Sequence, residues 1–266
     1  MQFIRHPQNL ITPRFSPRRL FRSGEAGVWF DPSDLSTLFQ DAAGTTPVTA
    51  AGQPVGLILD KSGNASNASQ GTAAARPTYQ IDAGGRPYLA FDGVDDFMVT
   101  PTITPGTDKV QVFAGVRKLS DAVAMLLELS ANAANNAGSF YVSAPEDATN
   151  RYASYSRGAS VVGTGGRANI TGVGAAPDSA VLTGTHDILG DLSTISRNGV
   201  AGSNGTVDKG TGNFIAYPMY IGRRGGTSLP FNGNIYSMIV RFGPNLTGAE
   251  IARAERYVAS KCGVTI

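Results

Sequence analysis

The segment Tyr88-Leu-Ala-Phe-Asp-Gly-Val-Asp-Asp-Phe-Met-Val-Thr100 constrains the fold more tightly than any other stretch of the chain. Leu89, Phe91, Phe97 and Val99 alternate with small or polar residues, the two-residue period of half-buried strands. Asp92-Gly93 breaks that period with a tight-turn pair, because Gly accepts positive φ and Asp can accept a backbone N–H two residues on. The reading is strand, sharp turn, strand: a hairpin with Phe91 and Phe97 pointing inward.

The same grammar recurs along the chain. Short apolar or alternating runs at Val28–Phe30, Val55–Asp60, Val110–Val116, Val123–Leu129, Ser139–Ser143 and Arg151–Ser156 read as strands. So do Ala180–Thr183, Leu192–Ser196, Met219–Gly222 and Phe231–Phe242. Asp34–Phe39 fits either one helical turn or a short strand. Arg197-Asn198-Gly199 is a hairpin turn, and regular short strands between turns predict a sandwich. Composition agrees: 33 Gly and 15 Pro with only 16% charged residues describe a turn-rich chain, and 41% hydrophobic residues suffice for a full core. One helix is expected, near the end. Thr247 and Glu250 form a capping box, Ile251, Ala254, Tyr257 and Val258 share a face, and Gly263 stops it. Trp29, flanked by Val28 and Phe30, reads as core rather than as a sugar-stacking ring.

Residues 1–24 differ. Pro7, Pro13 and Pro17 favour extended backbone. Arg5, Arg14, Arg18, Arg19 and Arg22 stand without an acid, so a chain of net charge +2 carries −3 over residues 25–266. Phe3, Ile4, Leu10, Ile11, Phe15, Leu20 and Phe21 are too apolar for an idle solvated tail. Such a segment either docks as an arm in a groove of another subunit or packs along its own domain, and docking is the preferred reading. The arm residues expected to carry it are Phe3, Arg14, Phe15, Arg18, Arg19 and Phe21. The expected division is therefore an extended arm, 1–24, and one β domain, 25–266. The single cysteine, Cys262, cannot form an internal disulfide. The chain has no apolar run of membrane-spanning length and no secretory h-region, so folding in a reducing cytoplasm is expected. On that reading the glycosylation sequons at Asn64, Asn67, Asn169, Asn204 and Asn245 are fortuitous.

Phe91-Asp-Gly-Val-Asp-Asp-Phe97, Arg197-Asn-Gly199, Tyr220-Ile-Gly222, Phe231-x-Gly-x-Ile235 and Leu246-Thr-x-x-Glu-Ile251 occur in an order that resembles laminin-G-like, concanavalin A-like domains. The resemblance runs from about residue 25 to the end. It implies an all-β jelly-roll sandwich of two antiparallel sheets with a short C-terminal helix, preceded here by the arm. Trp29-Phe-Asp-Pro-Ser-Asp-Leu-Ser-Thr-Leu-Phe-Gln-Asp41 with Lys61-Ser-Gly-Asn64 is similar to openings of tailed-bacteriophage virion proteins, which implies a structural role on a phage particle.

Some concanavalin A-like proteins are glycoside hydrolases, whose chemistry needs two close carboxylates. Glu25, Glu128, Glu146, Glu250 and Glu255 are the only glutamates, and none lies in a Glu-x-Asp-x-Glu run. No Gly-x-Ser-x-Gly elbow occurs. The expectation is a protein without catalytic residues. Asp92, Asp95 and Asp96 are weak candidates for Ca²⁺, as are Asp60 and Asn64, though the resemblance places the aspartates in a turn where they bind backbone N–H groups. His6 and His186 are too few and too far apart for zinc. His186 beside Asp187 reads either as an acid–base pair or, more commonly, as a hydrogen-bonded strand histidine. Gly222-Arg-Arg-Gly-Gly226 reads as an anion nest or a plain turn. Gly163-Thr-Gly-Gly166 lacks the Lys-Ser/Thr of a P-loop. Without aromatic–basic interleaving, the arm's arginines give little reason to expect nucleic acid.

The leading expectation is a non-enzymatic virion protein: a decoration, neck or head-fibre/spike component assembled in the host cytoplasm. Its arm would dock on capsid, portal-proximal or fibre proteins, and the chain would form a homo-oligomer. The alternative is a carbohydrate-binding module for host surface polysaccharide, using Tyr152 and Tyr155 with Arg223. The alternative requires those three residues to share an exposed groove.

Overall fold

The computed structural model describes residues 15–160 and 167–266. Two antiparallel sheets pack face to face. One sheet has eight strands, in the order Val200–Ala201, Leu192–Arg197, Asp178–Asp187, Lys109–Lys118, Asn232–Phe242, Pro87–Asp92, Thr78–Ile81, with Gly27–Phe30 also paired to Asn232–Phe242. The other has nine, in the order Arg167–Ile170, Tyr152–Arg157, Ser139–Ser143, Met125–Leu129, Met219–Ile221, Met98–Val99, Ala68–Ser69, Leu57–Ile58, Leu38–Phe39. Strand neighbours far apart in sequence confirm the sandwich class expected from the alternating runs.

The main core lies between the sheets. Val110, Val112, Ala114 and Val116 face inward from one central strand, and Met238, Val240 and Phe242 from its neighbour. They meet Leu127, Leu129, Phe140, Val142, Met219 and Ile221 of the opposite sheet. A second apolar layer covers the outer face of the eight-stranded sheet. There Phe113, Val181 and Ile239 receive Ala254, Val258, Ala259 and Cys262 of the helix Gly248–Cys262. Its capping box on Thr247 and Glu250 and its left-handed Gly263 stop are those the sequence marks. Tyr257 and Lys261 pin it further, both donating to Asp31 Oδ2, at 2.7 and 2.9 Å. Trp29 lies in the same layer, 7% exposed, as expected of a core ring.

Three expectations change. The stretch 88–100 is no hairpin: Pro87–Asp92 belongs to the eight-stranded sheet and Met98–Val99 to the nine-stranded one, so the turn hands the chain from layer to layer. The Asp96 carboxylate accepts the Asp92 N–H at 3.0 Å, satisfying that donor with a side chain. Second, the inward residue after the turn is Met98, 1% exposed, whereas Phe97 is half-buried and outside the core. Third, part of the arm belongs to the sandwich. Pro17–Phe21 forms a 3-10 helix whose Leu20 and Phe21 join the helix-side layer, and the guanidinium of Arg241 donates to the Leu20 carbonyl at 2.6 Å. A domain boundary at residue 24 therefore does not describe the fold from Phe15 onward. Phe3 and Arg14 lie outside the described residues.

Candidate functional site

The outer face of the nine-stranded sheet carries the polar and aromatic side chains that the core does not absorb. Register pairs Val99 with Tyr220, Tyr220 with Glu128, Glu128 with Tyr141, Tyr141 with Tyr155, and Tyr155 with Arg167. Because side chains alternate faces along a strand, these six point outward in one transverse row. Their strand neighbours Leu127, Phe140, Val142, Met219 and Ile221 point into the core.

The middle of the row is sealed. Tyr141 and Tyr155 stack with ring centroids 5.0 Å apart, both 5% exposed or less, beneath Ala133 and Leu229. Glu128 is fully buried and accepts from Arg224 Nε with both oxygens, at 3.1 and 3.2 Å, and from the Ala133 N–H at 2.6 Å. Burial pushes its carboxyl above the usual carboxylate range, and Arg224 only partly offsets that. Arg224 also lies 5.7 Å from the Tyr141 ring centre. At one end Arg167 Nε donates to Glu146 at 2.8 Å and to the Tyr141 hydroxyl at 2.6 Å.

The other end of the row is open. Phe97 and Tyr220 are both half-buried, their rings 6.5 Å apart and inclined by 32°. Gly226 stands against Phe97 so closely that a Cβ there would come within 2.7 Å of the ring. Arg223, also half-buried, is fixed beside them by donating to the carbonyls of Asp95 and Thr227, at 3.4 and 3.2 Å. Two aromatic rings with accessible surface and a positioned guanidinium make a platform suited to a flat, polar-edged ligand.

Of the residues expected to bind glycan, the structure brings only Arg223 to this platform. Tyr152 and Tyr155 are three apart on one strand and face opposite sides. Tyr152 is fully buried between the sheets, where its hydroxyl donates to Asp178 at 2.7 Å. Tyr155 is sealed in the row. The three do not share an exposed groove. In the sequence Phe97 reads as core and Tyr220 as part of a fold motif rather than of a site, although Tyr220 between the buried Met219 and Ile221 carries the alternation that exposes it.

Asp92, Asp95 and Asp96 do converge, with one oxygen of each within 4.8 Å of the others. Asp92 accepts the N–H groups of Val94 and Asp95, and Asp96 that of Asp92, so the Asp92 and Asp96 side chains brace the turn. Burial, then the neighbouring carboxylates, pushes the Asp96 carboxyl up to about 6. His186 is a buried strand histidine, its Nδ1 2.9 Å from Ser193 Oγ.

No family model and no curated protein sequence matches the chain. Solved structures do match in fold. The botulinum neurotoxin type C structure described by its interaction with two ganglioside molecules is 13% identical, with TM-score 0.57, over 88% of this chain and 51% of its own. The binding domain of botulinum neurotoxin DC in complex with SialylT is 13% identical, with TM-score 0.54, over 76% and 48%. Trypanosoma rangeli sialidase is 13% identical, with TM-score 0.56, over 92% of this chain and 34% of its own. The chain thus spans about half the length of the neurotoxin chains and a third of the sialidase. At such identities the shared property is the two-sheet β-sandwich fold.

Proposed function

We propose that the protein is a non-catalytic carbohydrate-binding module whose sugar ligand lies on Phe97 and Tyr220, with Arg223 at its polar edge. The observation that carries this reading is the partly exposed aromatic pair at one end of a row whose middle is sealed. The fold is consistent with it, since two of the similar neurotoxin structures are described with gangliosides or SialylT. Screening the full chain on a glycan array, followed by titration of the best glycan, tests it. Phe97→Ala or Tyr220→Ala should weaken binding by about tenfold, the effect of losing roughly 1.4 kcal/mol of ring contact. Retention of no glycan, or affinity unchanged in both variants, would refute the site.

The wider setting proposed is a bacteriophage particle, where the module would be displayed by a decoration, neck or head-fibre protein. That setting is supported by the resemblance of Trp29–Asp41 and Lys61–Asn64 to phage virion proteins. Because Phe15–Phe21 packs on the sandwich, the informative truncation removes residues 1–14 and leaves the folded part intact. Loss of co-sedimentation with virions would support docking through the arm, and unchanged co-sedimentation would rule it out.

A further inference from the structure

The outer side of the eight-stranded sheet carries a concentration of unneutralised arginine. Arg18, Arg19 and Arg22 are exposed along the N-terminal 3-10 helix, and Arg253 and Arg256 along the C-terminal helix. None of the five forms an ion pair among the described residues, whereas most other cations do. Of the nearby acids, Glu25 pairs with Arg241 and Asp31 with Lys261, while Glu250 and Glu255 are held by Thr247 and Thr183 and leave the five arginines in excess over them. Among the described residues, no carboxylate lies in ion-pair contact with any of the five arginines.

The face is also shaped. A cleft of about 440 Å³ lies between Phe15, Arg253, Arg256 and Tyr257, with the two rings edge to face at 6.3 Å. A second, of about 600 Å³, is lined by Arg18, Arg19 and Arg22 with Gly63 and Asn64. The Phe15–Phe21 segment separates and joins them. We infer that this surface docks an acidic polypeptide segment of a partner protein, one that carries apolar side chains between its carboxylates. Guanidinium groups match carboxylates bidentately, and the Phe15–Tyr257 pair offers an apolar seat between the charged clusters. A bare phosphate polymer would leave that apolar seat unused. The inference is independent of the glycan platform, which lies on the opposite sheet.

The test is fluorescence anisotropy of a labelled synthetic peptide of alternating Glu and Leu, titrated with the full chain at low and high salt. A duplex DNA serves as the competing probe. Arg18→Glu/Arg19→Glu and Arg253→Glu/Arg256→Glu should each weaken peptide binding by about tenfold or more at low salt. High salt should weaken the wild type in parallel. Unchanged thermal unfolding of both variants and unchanged glycan titration would tie the loss to this surface. The inference is overturned if the peptide does not bind, if the reversals leave its affinity unchanged, or if DNA binds more tightly. It is equally overturned if the reversals abolish self-association of the free protein, which would make a second copy the occupant.

Discussion

His186 makes the stability of this sandwich depend on pH in a direction and size that can be worked out. The imidazole is fully buried between the sheets, beside the Phe140 ring at 5.6 Å. Its Nδ1 meets Ser193 Oγ at 2.9 Å, and that hydroxyl meets Ser156 Oγ of the opposite sheet at 3.1 Å. Burial, with the Lys209 ammonium adding to it, holds the imidazole down to about 3. The unfolded chain therefore binds a proton below pH 6.5 that the native state refuses until about pH 3, so stability falls as pH drops through that window. Each unit well below 6.5 costs about 1.4 kcal/mol, and because the unfolded imidazole is half protonated at pH 6.5 the loss between pH 6.5 and 4.5 is roughly 2 kcal/mol. His186→Asn places an amide where Nδ1 now sits and removes the titration. The variant should be uniformly less stable at neutral pH, because it leaves a gap beside Phe140. Its urea unfolding free energy should then decline less than that of the wild type between pH 6.5 and 4.5, by roughly 2 kcal/mol. Taking the difference between the two proteins cancels the carboxylates they share. Parallel pH profiles would show that His186 protonates without cost, and the reasoning from burial would be wrong.

Asp96 should act with the opposite sign. Its folded carboxyl is raised to about 6 from 3.8, so wild-type stability falls as pH rises through that interval, and Asp96→Asn should be more stable at pH 7 with the gain vanishing below pH 4. Urea unfolding across that range checks it. Arg224→Ala should cost about 3–5 kcal/mol by leaving Glu128 buried and unpaired, whereas Glu128→Leu/Arg224→Met should recover more than half. Equal losses would show that the pair's charge is immaterial. Gly222→Ala should lower the thermal midpoint, because Gly222 has φ +84° and a Cβ would meet the Phe91 ring at 2.4 Å. Thr247→Ala should cost about 1 kcal/mol through the lost helix cap, read by the same melts.

Local chemistry made much of the fold legible. Alternation revealed Lys109–Lys118, bracketing turns marked Met125–Leu129 as a strand where propensity alone also allowed a helix, regular spacing continued the pattern to Ser139–Ser143 and Tyr152–Arg157, the capping box marked the helix, and Asn198-Gly199 its hairpin, with φ of 54° and 77°. The strand Arg167–Ile170 was hidden in a Gly-rich run because it is short and pairs only at an edge of its sheet. The stretch around Asp92-Gly93 shows where such reading stops. A turn pair announces that the chain reverses, but whether the next strand rejoins the same sheet depends on which strands lie within reach. Here Met98–Val99 found Met219–Ile221 rather than Pro87–Asp92.

The site follows the same division. Residue identity alone determined that Arg223 is a charged turn residue, that residues 1–24 are basic and apolar, and that no Glu-x-Asp-x-Glu run exists. Tertiary structure decided which aromatics remain accessible. Tyr152 and Tyr155 look alike in sequence, yet one is buried between the sheets and the other beneath Ala133 and Leu229, while Phe97 and Tyr220 keep exposed edges. It also brought Arg18, Arg19 and Arg22 to the same face as Arg253 and Arg256, from opposite ends of the chain. Period and turn chemistry act over a few residues, so the sequence can declare them. Burial and charge neutralisation depend on what the rest of the chain lays over a residue, and only the folded sandwich settles that.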